Sequence, residues 1–318
     1  MTSQARIDFL SARKKGLGGS DIAAILGYPA FKTAVEIWME KTGRSAGSDD
    51  ALRLRYGIDA EHFIAKEYEL VTGLKTVRHT KQLRSERYPY ALGNVDRLVI
   101  PEGQKIAAYQ GQIRTDRGLE CKTVTSFFDR SEWGEAGTDN VPTAYLLQNH
   151  WYLALSPLQT MDLAALFGAG EKLAIYTINK DADLEEELLR RGHEWWVRHV
   201  VGDEPPEPVN ESDVLLLYPS DNSPSVEATE SIAETLAELQ TIKAQINELE
   251  VKAGHKQMAI KRFMGDASAL LCNDKTLATW KNSKPVKRFD IEAFKAANPK
   301  LYSQFITEGE PTRRFLIK

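Results

Sequence analysis

Two short stretches decide the fold: LGNVDRLVI at residues 92–100 and GLECKTV at residues 118–124. Both have the length of strands and few positions left for solvent, as strands buried on both faces of a sheet do. Side chains alternate along a strand, so Glu120 and Lys122 project from one face and Cys121 from the other. With the Asp96 segment alongside, two carboxylates and one ammonium converge. Such oxygen ligands suit Mg²⁺, with Mn²⁺ able to substitute, completed by a backbone carbonyl and waters. An adjacent lysine can orient or help deprotonate an attacking water and stabilise a charged phosphate. That is equipment for phosphodiester hydrolysis. The bare Asp-x₂₃-Glu-x-Lys spacing also occurs where charged strand ends are merely solvated. The apolar flanks Leu119, Val124, Val95 and Leu98 argue for a site set into the protein.

Helical and strand signals surround this pair. SDIAAIL at 20–26 follows two glycines and opens with two good capping residues, Ser20 and Asp21. Thr33 to Lys41 carries Val35, Trp38 and Met39 at helical spacing. A further helix is predicted from about Asp59 to Thr72, with Phe63, Ile64, Tyr68 and Val71 as its apolar stripe and Gly73 as its stop. GLKTVRHTKQLRS reads as an edge strand, residues 142–155 as a helix opening at Pro142, LAALFGAGEKLAIYTINK as a strand pair, and 181–201 as an acidic-start helix. This order predicts an α/β body with helices on both faces of a small mixed sheet.

The organisation expected is a first domain over 1–205, a linker or exposed loop over 206–225 (rich in Pro and acid), and an extension over 226–318. In the extension, Ile232, Thr235, Leu239, Ile242, Ile246, Leu249 and Ala253 alternate by three and four, a heptad seam of about three repeats. ATWKNSKPVKRFD then suggests a basic strand and turn, FKAANPKLYSQF a short helix, and RRFLIK a basic tail. The fold expected of this part is a long helix with a small α+β addition.

Charge is unevenly spread. Residues 1–180 carry net +2, residues 181–250 net −14 and residues 251–318 net +8, so the overall −4 says nothing for or against nucleic acid. No window approaches 18 uncharged apolar residues, which excludes a membrane-spanning helix. The opening residues lack a secretory h-region, and Cys121 and Cys272 alone form neither a disulfide framework nor a zinc cluster. The cytosol is the expected compartment. A nucleotide P-loop, and with it a nucleotide-dependent helicase, is absent.

Secondary candidates are less specific. Glu61 reads as a third carboxylate or as an exposed glutamate. Gln148 and Tyr152, four apart, share a helix face and either meet the attacking water or a phosphate, or pack helix to core. Arg13, Lys14 and Lys15 precede GLGGSDIAAIL, where turn amides and a helix start make an anion site to which Ser20 adds a hydroxyl; the plainer reading is a helix cap after a tight turn. Tyr28, Phe31 and Trp38 are candidates for a stacking surface, Trp38 fitting core packing better. His62 and His150 have no ligand-spaced partner.

RKKGLGGSDIAAILGYPAFKTAVEIWMEKTG resembles the opening of YqaJ-like viral recombinases, a phage and prophage group of PD-(D/E)xK nucleases related to lambda exonuclease. The resemblance continues through LRYGIDAEHFIAKEYELVTG, LGNVDRLVI, LECKT and YLLQNHWYLAL, in the family's order, over about residues 10–200. It implies a restriction-endonuclease-like core with Asp96 and Glu120 as metal ligands, Lys122 as the catalytic lysine, Glu61 as a helix carboxylate bordering the metal, and Gln148 with Tyr152 as the accessory motif. The Arg13 and Ser20 region is similar to the part that holds a terminal 5′ phosphate. Asn94-Val95-Asp96 departs from the nominal Pro-Asp without losing a ligand, and the long interval up to Glu120 lengthens the intervening hairpin. The activity implied is Mg²⁺-dependent 5′-to-3′ degradation of duplex DNA from its ends, leaving 3′-ended strands for a single-strand annealing protein, by a homo-oligomer that could be a trimer. A structure-specific or general endonuclease with the same site, and a noncatalytic DNA-binding recombination scaffold, are the other readings the residues leave open.

Overall fold

The core is built around β7 (Arg117–Val124), whose neighbours on the two sides are β4 (Arg97–Ile100) and β8 (Thr160–Phe167). The computed structural model describes residues 14–28, 31–45, 51–124, 131–168, 170–221, 225–307, 309 and 313–317. β1 (Lys75–Arg78) and β9 (Lys172–Asn179) form the edges of a five-stranded sheet in the order β1-β4-β7-β8-β9. β7 runs parallel to β8 and every other neighbouring pair is antiparallel, so the sheet is mixed, as expected. The edge position predicted for β1 and the hairpin predicted for β8–β9 are both present. Two pairings of two-residue strands accompany the sheet: β2 (Leu83–Arg84) with β3 (Leu92–Gly93), and β5 (Ala108–Tyr109) with β6 (Gln112–Ile113) in the long excursion between β4 and β7, besides a single bridge from Leu17 to Ala91.

Alternation along β7 and β8 divides the interior into two layers. On one face Leu119, Cys121, Val99 and Ala164 pack on Ile64, Ala65 and Tyr68 of α3 (Ala51–Thr72). On the other, Leu98, Leu163, Ala165 and Met161 pack on Leu147, Trp151 and Leu153 of α4 (Thr143–Ala154), which α1 (Gly19–Ile25) and α5 (Ala182–Trp195) cover. α3 starts eight residues earlier than its periodicity suggested and ends at Gly73, which has φ +73°. Its buried stripe is Ile64, Ala65 and Tyr68; Phe63 and Val71 are exposed, correcting the predicted face. The acidic-start helix ends at Trp195 and continues as a π-helical turn, Trp196–Val201.

α2 (Ala34–Lys41) is started by a reciprocal cap, the Glu36 amide donating to Thr33 Oγ1 at 3.1 Å and the Thr33 amide to Glu36 Oε2 at 2.7 Å. Trp38 is buried and donates its indole N–H to the His199 carbonyl at 2.8 Å, which places it in the core.

The chain divides into two compact units, Met1–Tyr218 and Pro219–Lys318. Within the stretch read as linker, residues 211–217 form α6 (Glu211–Leu217), whose buried Asp213 accepts the Thr33 hydroxyl at 2.7 Å. This segment therefore folds onto the first unit. The second unit holds α7 (Glu230–Met264), the hairpin β10 (Ala269–Cys272) and β11 (Lys275–Thr279), and two short helices, α8 (Ile291–Ala297) and α9 (Pro299–Gln304). Pro299, at the first position of α9, splits the single helix expected there. Among the described residues no helix is long and apolar enough to cross a membrane.

Candidate active site

β4 and β7 pair with Arg97 opposite Leu119 and Leu98 opposite Gly118. Continued by one residue, this register sets Asp96, in the bend before β4, beside Glu120. Asp96 Oδ2 accepts the Cys121 amide at 2.9 Å, which ties the carboxylate to β7. Glu120 is only 3% exposed. Its Oε1 takes the Lys122 ammonium at 2.7 Å and the Gln148 amide at 2.7 Å, while Oε2 is buried without a hydrogen-bond partner. Asp96, Glu120 and Lys122 thus meet between two inner strands.

The charges are badly matched. Burial raises the Asp96 carboxyl well above its ordinary value, and neighbouring Glu120 raises it further. Burial also raises Glu120, against the pull of Lys122. For Lys122, burial disfavours the charge, but Glu120 and then Asp96 outweigh it and hold the ammonium above the ordinary lysine value. The two carboxylates thus favour the charged form of Lys122. The Cys121 thiol is pushed up by burial and by Asp96 and stays neutral.

The remaining candidates separate. Gln148 donates from Nε2 to both Glu120 Oε1 and the Tyr152 hydroxyl, the latter at 2.8 Å, so this pair orients Glu120 from α4. Glu61 lies on α3 and is ion-paired with Arg97, whose Nη1 also donates to the Asp96 carbonyl at 2.8 Å. Glu61 is close enough for its charge to act on both Asp96 and Glu120. His150 is buried, its Nδ1 3.6 Å from Glu185, and His62 is exposed.

The glycine-rich turn is built for packing. A Cβ on Gly16 would meet the Tyr90 carbonyl at 2.2 Å, and one on Gly19 the Tyr152 ring at 2.8 Å and Gln148 at 3.1 Å. The Gly18 amide, expected to face an anion, donates to Asp21 Oδ2 at 3.0 Å, and that carboxylate is buried against Lys41 at 2.8 Å. Ser20 is exposed on the first turn of α1. Arg13 lies outside the described residues. Gly19→Ala should cost about 1–3 kcal/mol, the usual penalty of overpacking, because the Tyr152 ring has to yield; denaturant unfolding measures it.

Tyr145 and Arg97 were missed in the sequence. The Lys122 ammonium stands 5.3 Å from the Tyr145 ring centre, and the Phe31 ring lies 6.4 Å from the same ring. The spacing of Tyr145 from Gln148, one helical turn, was the available signal. Glu61, Lys122, Thr123, Tyr145 and Phe31 line a cleft of about 220 Å³. Phe31 is exposed, as is Tyr28.

These residues fit a hard divalent cation. Two adjoining carboxylates with one ammonium leave negative charge that burial makes costly, and the unpartnered Glu120 Oε2 is an oxygen without a donor. Asp96 and Glu120 would hold the ion.

A family model described as the YqaJ-like viral recombinase domain matches residues 8–159. The chain is 31% identical over 327 residues to the uncharacterized protein YqaJ of Bacillus subtilis (strain 168), the match covering 100% of this chain and 95% of that one. Solved structures with similar chains include LHK-Exo in complex with dAMP (TM-score 0.47, 13% identity, 62% of this chain and 93% of that one). An alkaline exonuclease (LHK-Exo) from Laribacter hongkongensis gives a TM-score of 0.46 at 12% identity with the same coverage. A phage-related exonuclease from Haemophilus somnus 129PT gives 0.37 at 14% identity, covering 59% of this chain and 96% of that one.

Proposed function

Because the chain belongs to the family of YqaJ-like viral recombinases, we propose that it is a metal-dependent nuclease that degrades duplex DNA from its ends, 5′ to 3′, and hands 3′-ended strands to an annealing protein of the same phage or prophage in the host cytosol. The observation that carries this reading is the buried Asp96–Glu120 pair with Lys122 at the side of an open cleft. Family membership supports nuclease chemistry; the direction and the end requirement are finer expectations.

Mg²⁺, with Mn²⁺ as a substitute, would supply charge neutralisation on the phosphate and a more acidic water. Asp96, held by the Cys121 amide, and Glu120, held by Gln148 and Lys122, present their oxygens with little freedom to reorient. Such preorganisation is what stabilises charge developing in a transition state. The Lys122 ammonium offers N–H donors towards the cleft, where they can bind a phosphate oxygen. Glu61, anchored by Arg97, adds negative charge at the margin without occupying the pair's place. Phe31 and Tyr28 are exposed and would stack on a base at the duplex end. Arg13 and Ser20 are assigned to the terminal 5′ phosphate.

A comparison of a linear duplex with a covalently closed circle tests end dependence. We expect the linear form to be consumed and the circle to survive; cutting of the circle would favour the endonuclease reading. Under single-turnover conditions a 5′-phosphorylated end should be degraded faster than a 5′-hydroxyl end. Equal rates would remove the Ser20 and Arg13 assignment.

A further inference from the structure

Asp21, in the first turn of α1, and Lys41, the last residue of α2, form an ion pair shut away from water. The two groups meet at 2.8 Å, with side chains 2% and 0% exposed. Desolvating both charges is costly, and apolar residues of similar volume often make a fold at least as stable as a buried pair does. Stability therefore does not account for it. What the pair fixes is direction: Asp21 Oδ2 faces the Lys41 ammonium and also accepts the Gly18 amide at 3.0 Å, so one oxygen is held from two sides.

The turn tied down in this way leads to the carboxylate pair. Leu17 donates its amide to the Tyr90 carbonyl and accepts the Leu92 amide, both at 2.8 Å, which sets the turn beside β3. The backbone then presses on α4. A Cβ on Gly19 would meet the Tyr152 ring at 2.8 Å, and one on Gly93 of β3 would crowd the same ring at 3.1 Å. The hydroxyl of that ring and Glu120 Oε1 are the two acceptors of Gln148 Nε2, at 2.8 and 2.7 Å. A shift of the ring displaces one acceptor and with it the hold of Gln148 on Glu120. Small misplacements of this sort, made far from the chemistry, can cost about 10²-fold in rate.

We propose that Asp21 and Lys41 are positioning residues: their ion pair fastens the Gly18–Gly19 turn on Tyr152 and, through Tyr152 and Gln148, fixes the Glu120 carboxylate. The inference rests on the nuclease reading for the use to which Glu120 is put. Asp21→Val combined with Lys41→Met replaces the pair by apolar side chains and leaves Tyr152, Gln148 and Glu120 unaltered. In the full chain labelled with ¹⁵N-glutamine, the side-chain amide signals of Gln148, identified by their loss in Gln148→Met, should move in this variant. Cleavage should fall by about 10- to 10²-fold, while the melting temperature stays near that of the wild type. A pair with a merely structural role would lower the melting temperature and leave the Gln148 signals of the folded variant in place. Gly19→Ala keeps the pair and pushes on the ring from the same turn, so it tests the route to Gln148 even if the apolar pair prevents folding. Gln148 signals that stay at their wild-type positions in either folded variant, or wild-type cleavage by the apolar pair, would overturn the proposal. The signals are read without metal or DNA, so they decide the inference whether or not the wild-type chain cleaves.

Discussion

Asp96→Asn is expected to lower DNA cleavage by about 10³-fold, the scale on which removing one preorganised charge-stabilising group acts. The replacement keeps the size of the side chain and an oxygen that can accept the Cys121 amide, so the bend before β4 stays in place. What is lost is one of two charges that hold a cation, so Mg²⁺ affinity measured by titration calorimetry should fall in parallel with the rate. Stability should move the other way. Burial and Glu120 raise the Asp96 carboxyl, so the native chain binds that proton more tightly than the unfolded chain does. The stabilisation this gives is complete below the unfolded carboxyl value, about 4, and is lost as pH rises through the higher native value. Without added metal, Asp96→Asn should therefore melt above the wild type at neutral pH, and the difference should shrink as the solution is acidified. A variant that cleaves at the wild-type rate removes Asp96 from the mechanism.

Lys122→Met should cost about 10²–10³-fold in cleavage, for a different reason. The ammonium contributes charge to the phosphate, and it also occupies Glu120 Oε1 at 2.7 Å in competition with a metal. Removing it leaves both carboxylates and takes away a competing cation, so Mg²⁺ should bind more tightly while cleavage falls. That opposition separates Lys122 from Asp96, for which binding and rate fall together. If Lys122→Met weakens Mg²⁺ binding, the lysine is holding the carboxylates in place and its role in charge stabilisation is wrong.

The sheet was legible because its inner strands are apolar runs and because alternation fixes which residues share a face. Glu120 and Lys122 do meet on one side of β7, with Cys121 on the other, packed beneath α3. Gln148 and Tyr152 do share a face of α4, yet what they touch, Glu120, could not be read from spacing. The turn was the hardest to read. In sequence, Gly18-Gly19-Ser20 looks like free amides at a helix start, whereas in the fold Asp21 and Lys41, twenty residues apart, meet to occupy the Gly18 amide. Glu61 was found, but its commitment to Arg97 depends on how α3 crosses β4, which a helical period does not encode. The start of α3 was missed because the described side chains of its first turns, Leu52, Arg55, Tyr56 and Ile58, are exposed and carry no helical apolar period.

The claim on which the rest stands is that Asp96 and Glu120 bind a divalent cation and, with the Lys122 ammonium beside them, turn it on a DNA phosphate. Time-resolved digestion of a linear duplex labelled at its 5′ ends, run in Mg²⁺, in Mn²⁺ and with a chelator, tests it most directly. The account predicts early release of the label with either metal and none with the chelator. An intact duplex in both metals, or equal digestion with the chelator present, would contradict it.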